Sequence, residues 1–175
     1  MNLEQLFTEL ANWSDLVAVF CNKKSPDSFL VGQVVSSNSD FVLMALIDPD
    51  AKDDGWCLCS HKSFFCIDIN TPYINCLKDR ISYERKQRLL GDLWHNFLLY
   101  AEEHQLVVQA VGFSGNRIML GIPIGHSKEG VSFQRVHLDG SYGRVYCLAK
   151  EKIALLVCNS NTEKEVQMKL KKEVL

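Results

Sequence analysis

The feature that most constrains the fold of this chain is a repetition of its own pattern about 90 residues on. Leu3, Phe7, Ala11, Leu16 and Val17 are matched at an offset of 90 by Leu93, Phe97, Ala101, Leu106 and Val107. After the first loop the offset becomes 89. It then pairs Ser25 with Ser114, Gly32 with Gly121, Val42 with Val131 and Asp50 with Asp139, and the run 64–67 falls on 153–156. A fixed period is the signature of a repeated structural unit. The 175 residues therefore divide into a first unit at 1–72, a second at 73–161 and a charged tail at 162–175.

Each unit reads as a helix followed by five short strands. Leu3, Leu6, Phe7 and Leu10 follow helical spacing, with Glu4 and Glu9 on the other side. β-rich runs follow at 16–21, 29–35, 41–47, 56–59 and 63–67, separated by polar turn-forming stretches. The second unit is led by a longer helix over 82–103, with Leu90, Leu93, Phe97 and Tyr100 on one face. Its strands are expected at 106–111, 118–124, 131–136, 144–148 and 152–157. Gly32 and Gly121 sit inside the second strand of each unit, where a glycine marks a bend or a close backbone approach. Val166, Leu170 and Val174 keep helical spacing in the tail. The expected fold class is mainly β with helices (α+β), as two tandem helix-plus-five-stranded, SH3-like small barrels.

Several stretches resemble the Sm-like superfamily, the Hfq/LSm-like small barrels. Leu6-Phe7-Thr8-Glu9-Leu10 and Leu16-Val17-Ala18-Val19-Phe20 are similar to that family's helix and first strand. The run Gly32-Gln33-Val34 through Asp40-Phe41-Val42-Leu43 resembles its first motif. His61-Lys62 stands where the family has a Lys-His pair, and Lys150-Glu151-Lys152 stands there in the second unit. The resemblance implies a single-stranded RNA site in which Phe41 stacks on a base and His61, Lys62, Lys150 and Lys152 reach base or phosphate. The second unit departs from the pattern, with Gly130 in place of Phe41 and Glu151 in place of the histidine. Leu43 and Ser132 stand near the position of the family's base-contacting asparagine.

Charge bears on this directly. Residues 1–70 hold four Lys or Arg and ten Asp or Glu, a net of −6; residues 71–175 hold fifteen and eleven, a net of +4. Phosphate contacts by Lys and Arg supply most non-specific nucleic-acid affinity. Candidate basic ground is Arg80, Arg85, Lys86 and Arg88 before the second unit, with Lys164, Lys169, Lys171 and Lys172 in the tail. The overall charge of −2 excludes a strongly basic nucleic-acid wrapper.

Other chemistry finds little footing. No phosphate-binding glycine loop, nucleophile elbow or H-E-x-x-H motif is present. The seven cysteines are expected as reduced core residues, since Cys57-x-Cys59 lacks zinc-knuckle spacing. The acidic loop 48–55 lacks the closing glutamate of an EF-hand, and His126 and His137 read as isolated. No apolar run is long enough to span a membrane, and the N-terminus has no signal-peptide plan, so a cytoplasmic location is expected. The expectation is a non-catalytic module with no metal or cofactor, binding single-stranded RNA. The alternative is an assembly module that kept the barrel and lost the RNA site, self-associating or meeting a protein partner through its barrel edge strands.

Overall fold

The computed structural model describes residues 3–13, 16–22, 25, 27–81 and 91–173. Helix α1 (Leu3–Trp13) forms because its apolar stripe, Phe7, Leu10 and Ala11, is buried on one side. Strands β1 (Leu16–Phe20), β2 (Leu30–Ser37), β3 (Phe41–Ile47) and β4 (Asp53–Ser60) follow as an antiparallel meander. Asn38 makes the β2–β3 turn by accepting the backbone N–H groups of Asp40 and Phe41 on its side-chain oxygen. Asp48 does the same for Asp50 and Lys52, and Ala51 takes a positive φ of 64° between them. A 3-10 turn over His61–Ser63 then leads to β5 (Cys66–Ile69), which returns to pair with β1. That turn occupies the start of the strand expected at 63–67. Helix α2 (Pro72–Lys78) closes the first half, with Thr71 accepting the Ile74 N–H and Pro72 in the first turn.

The second half runs α3 (Leu93–Glu103), β6 (Val108–Gly112), β7 (Arg117–His126), β8 (Gly130–Val136), β9 (Tyr142–Ala149), a 3-10 turn over Lys150–Lys152, β10 (Ile153–Cys158) and α4 (Asn161–Glu173). Helix α3 begins after Asp92, whose carboxylate accepts the His95 N–H, with Gly91 at φ 87° just before it. An unbroken helix over 82–103 is therefore corrected at its start; 82–90 lies outside the described residues. The tail is drawn into the fold, because Val166 and Leu170 on α4 pack into a cluster with Val107, Leu120, Ile122 and Val136.

Two separate five-stranded barrels are not what forms. The ten strands make one open antiparallel sheet in the order β5-β1-β2-β3-β4-β10-β6-β7-β8-β9. The halves fuse because β4, the last strand of the first meander, is covered by β10 of the second: Leu155 lies opposite Cys59, Leu156 opposite Leu58, Val157 opposite Cys57 and Cys158 opposite Trp56. An uncovered β4 would leave a row of backbone groups without partners. Side chains interlock across this junction. Leu155 and Val157 of β10 sit in the cluster built by Phe7, Val42 and Met44, whereas Phe41, Leu43 and Leu58 of the first half sit with Trp94 and Phe97 of the second.

The pairing pattern nonetheless recurs along the chain. Gly32 opposite Leu46 becomes Gly121 opposite Arg135, and the bulge between Val34 and Ser36 becomes one between Pro123 and Gly125. Phe41 opposite Ser60 becomes Gly130 opposite Ala149, and the two 3-10 turns also stand 89 residues apart. The first strand is the exception. Phe20 pairs with Cys66 where Val111 pairs with Leu155, so β6 answers β1 at an offset of 91 rather than 90. The turn after α3, with Gln105 at φ 51°, takes up the difference. At both glycines the neighbouring strand comes too close for a side chain: a Cβ on Gly32 would run into the Ala45 carbonyl, and one on Gly121 would lie 2.8 Å from the Gln134 carbonyl oxygen.

Candidate functional site

The β4–β10 junction brings the two 3-10 turns to opposite walls of one cleft of about 500 Å³. Its first-half wall is 39–41 and 60–62; its second-half wall is 128–129 and 149–151, with the exposed ring of Phe113 at one side. Four of the five residues singled out from sequence, Phe41, His61, Lys62 and Lys150, line it. Lys152 does not; its ammonium is exposed and lies 3.5 Å from Glu151.

Phe41 is only 4% exposed, and its ring meets an aromatic and a cation from the second half. Its ring stacks on Trp94 at 5.7 Å between centroids, and the Lys150 ammonium sits 5.0 Å from the Phe41 centroid and 5.7 Å from that of Trp94. Lys150 also meets Asp40 at 3.3 Å. The Trp94 indole N–H donates to the Ser127 carbonyl oxygen at 2.8 Å. The Phe41 ring, expected to stack on a base, thus stacks on a tryptophan of the same molecule. His61 packs on the Phe7 ring at 5.5 Å, and its Nε2 lies 3.2 Å from the Ser37 hydroxyl. Burial pushes its pKa below the ordinary imidazole value, against the pull of Glu4 and Asp40.

Cations in the cleft are matched by acids. Lys62, Lys128 and Lys150 share it with Asp40, Glu129 and Glu151, so it has no strong positive potential for a phosphate backbone. Of the other basic positions, 85, 86 and 88 lie outside the described residues, and Lys169 is engaged with Glu165 at 2.9 Å and the Leu138 carbonyl.

Three further groups carry polar or thiol chemistry. His126 is not isolated: its Nε2 lies 2.8 Å from His95 Nδ1, and its Nδ1 lies 3.4 Å from Glu102, a tie between α3 and β7. Cys57 and Cys59 project from the same face of β4 with sulfurs 3.2 Å apart. The Cys59 thiol holds Cys21 below its ordinary value by hydrogen bonding and is itself pushed up in return. The cysteines are not uniformly core residues: Cys57, Cys59 and Cys158 are buried, but Cys66, Cys76 and Cys147 are exposed. Among the described residues no group of three or more His, Cys, Asp or Glu side chains is placed to hold a metal ion, and no helix is long and apolar enough to cross a membrane.

The remaining feature is the pair of sheet ends. Strand β9 stands 89 residues after β4 and β5 stands 89 residues before the end of β10; among the described residues β9 pairs only with β8 and β5 only with β1. Val145 is 54% exposed and Tyr146 42% on β9. A groove of about 450 Å³ opens beside that edge, lined by 125–127, 129–132 and 147–149. The positions 89 residues earlier include Phe41, Leu43 and Leu58, which pack with Leu93, Trp94 and Phe97 of α3. No family model, curated protein or solved structure matches the chain.

Proposed function

We propose that this chain is a non-catalytic assembly module whose two open sheet edges pair head to tail with further copies of itself. The observation that carries this is the β4–β10 pairing inside the chain. Moving each member by 89 residues converts it into β9 of one copy against β5 of the next. The register then sets Cys66 opposite Leu148, Ile67 opposite Cys147, Asp68 opposite Tyr146 and Ile69 opposite Val145. Two further features favour the same geometry. Head-to-tail contact sets a half of net charge −6 against one of +4. The groove beside β9 is open where its first-half counterpart receives α3. A heterologous interface of this kind closes into a ring or continues as a filament, according to the rotation per copy.

The test is the oligomeric state by light scattering, together with a disulfide trap. Wild-type protein should self-associate with rising concentration, and Ile67→Cys should form an intermolecular disulfide with the native Cys147 under mild oxidation. A charge placed on the edge, Val145→Lys, should shift the protein toward monomer. A folded wild type that stays monomeric at its highest soluble concentration overturns the proposal.

Single-stranded RNA binding is the second reading, favoured by one observation: the gathering of Phe41, His61, Lys62 and Lys150 around one cleft. The buried Phe41 ring and the balanced charge count against it. Saturable, salt-sensitive binding of oligo-uridine that is lost in Lys62→Ala and Lys150→Ala would put RNA binding first.

A further inference from the structure

Resting on the head-to-tail pairing proposed above, we infer that Asp68 on β5 selects its partner edge by meeting Arg135 and Tyr146 on the next copy. At the internal junction the corresponding three residues are Val157, Leu46 and Cys57. All three are buried in one apolar cluster, with Val157 directly opposite Cys57. Eighty-nine residues away from each, in the direction that reaches the open edges, stand Asp68, Arg135 and Tyr146. An apolar trio at the closed junction is thus replaced by an acid, a guanidinium and a phenol at the open one.

The three are disposed for contact. Asp68 and Cys66 share the face of β5 turned away from the cluster that holds Ile67 and Ile69, and the Cys66 sulfur lies 3.8 Å from an Asp68 carboxylate oxygen. On the other edge the Arg135 guanidinium lies over the Tyr146 ring, 5.6 Å from its centroid, with Nη1 3.5 Å from the phenol oxygen. The transferred register places Asp68 opposite Tyr146, with Arg135 already held above that ring. A carboxylate buried at a strand junction without a partner would oppose association, and a planar guanidinium beside it supplies one. An apolar partner edge would leave the carboxylate unpaired, so the pair favours another copy over an unrelated exposed strand.

The experiment uses Asp68→Arg and Arg135→Asp, each checked for folding by circular dichroism, with self-association followed by sedimentation velocity. Each variant alone should weaken association by about tenfold or more. An equimolar mixture of the two should recover it, because each junction then joins opposite charges or the native pair. Recovery on mixing is an outcome that a purely structural role for either residue would not produce. Asp68→Asn should weaken association less and flatten its dependence on salt. Wild-type association that is unchanged by Asp68→Arg, or variants that do not recover on mixing, would overturn the role of this pair and leave edge pairing standing. A monomeric wild type would overturn edge pairing and this pair with it.

Discussion

Replacing Trp94 with alanine is the sharpest probe of how the two halves are joined. Trp94 is 1% exposed and belongs to the cluster that also contains Phe41, Leu43 and Leu58 from the first half. Truncating a buried tryptophan to alanine costs about 3–5 kcal/mol through lost transfer energy and the cavity left behind. Here it also removes the donor to the Ser127 carbonyl and one of the two rings beneath the Lys150 ammonium. For a chain of this size each kcal/mol moves the melting temperature by roughly 2–4 °C, so a fall of about 10 °C is expected. Because the residue packs on both halves, the loss should appear in a single cooperative transition. Thermal unfolding followed by far-UV circular dichroism reads both quantities. Trp94→Phe keeps an aromatic against Phe41 but loses the indole donor and part of the buried ring, so it should cost about 1–3 kcal/mol, less than Trp94→Ala. A Trp94→Ala protein melting within about 2 °C of wild type would refute this account of the junction. A transition split in two, with one step untouched, would refute the coupling of the halves.

Gly32→Val and Gly121→Val should each destabilise the fold by roughly 1–3 kcal/mol or prevent folding, because the neighbouring strand occupies the space of the new side chain; wild-type urea midpoints would refute the close approach. His61 has a lowered folded-state pKa, so its contribution to stability is present above the unfolded value of about 6.5 and is lost as pH falls through that value and on toward the folded one. Stability by urea denaturation should therefore fall from pH 7.5 to pH 5.5 less steeply in His61→Gln than in wild type, and equal slopes would count against it. Glu163 is raised by burial, and its carboxylate accepts the Ser160 N–H at 3.0 Å. Its contribution is present below the unfolded value of about 4.5 and is lost as pH rises through the folded one. Glu163→Gln, which can still accept that hydrogen bond, should gain stability relative to wild type at neutral pH; a loss there would show that the charge itself is needed.

The position of most helices and strands was legible because each carries its own hydrophobic spacing. The helix ends of α1 and α3, the whole of β3 and the two 3-10 turns stand where an offset of 90 and then 89 puts them. The union of the halves was not legible. The apolar runs at 56–59 and 153–158 announce burial, but burial alone does not say which strand covers them. The first strand of the second half slipped by one residue for a related reason. Leu106, Val107 and Val108 are all apolar, so composition cannot distinguish which of them faces the core. Phe41, His61 and Lys62 are neighbours within the first half through the β3–β4 pairing, and the β4–β10 junction adds Lys150 to them; Trp94, which stacks on Phe41, also comes from the second half. Thr71 and Pro72, at the division between the two units, carry a helix-start signal, and α2 begins there.

Strands β4 and β9 show what position does to matched segments. Both are eight residues long, and both pair with the preceding strand in the same register, bulge included. In β4 the last four residues, Cys57 to Ser60, are all buried; in β9 the matching residues Tyr146, Cys147 and Ala149 are exposed and only Leu148 is partly covered. The chemistry alone does not account for this, since Val145, Leu148 and Ala149 are as apolar as many residues inside β4. What differs is that β10 covers one strand, whereas among the described residues no strand pairs with the free side of the other. Natural sheets protect long edge strands with proline, inward-pointing charge or bulges that turn the edge away. Strand β9 has no proline, its bulge is the one that β4 also carries inside the sheet, and its single charge is Arg144. An edge left this apolar and this long is either a hazard or a joint. The joint is favoured by the contrast between the buried apolar trio Val157, Leu46 and Cys57 at the closed junction and Asp68, Arg135 and Tyr146 at the matching positions of the open edges. Were the edge merely unprotected, nothing would relate Asp68 on β5 to Tyr146 on β9 and Arg135 on β8, whereas the joint proposed between copies sets the acid opposite the phenol with the guanidinium beside it.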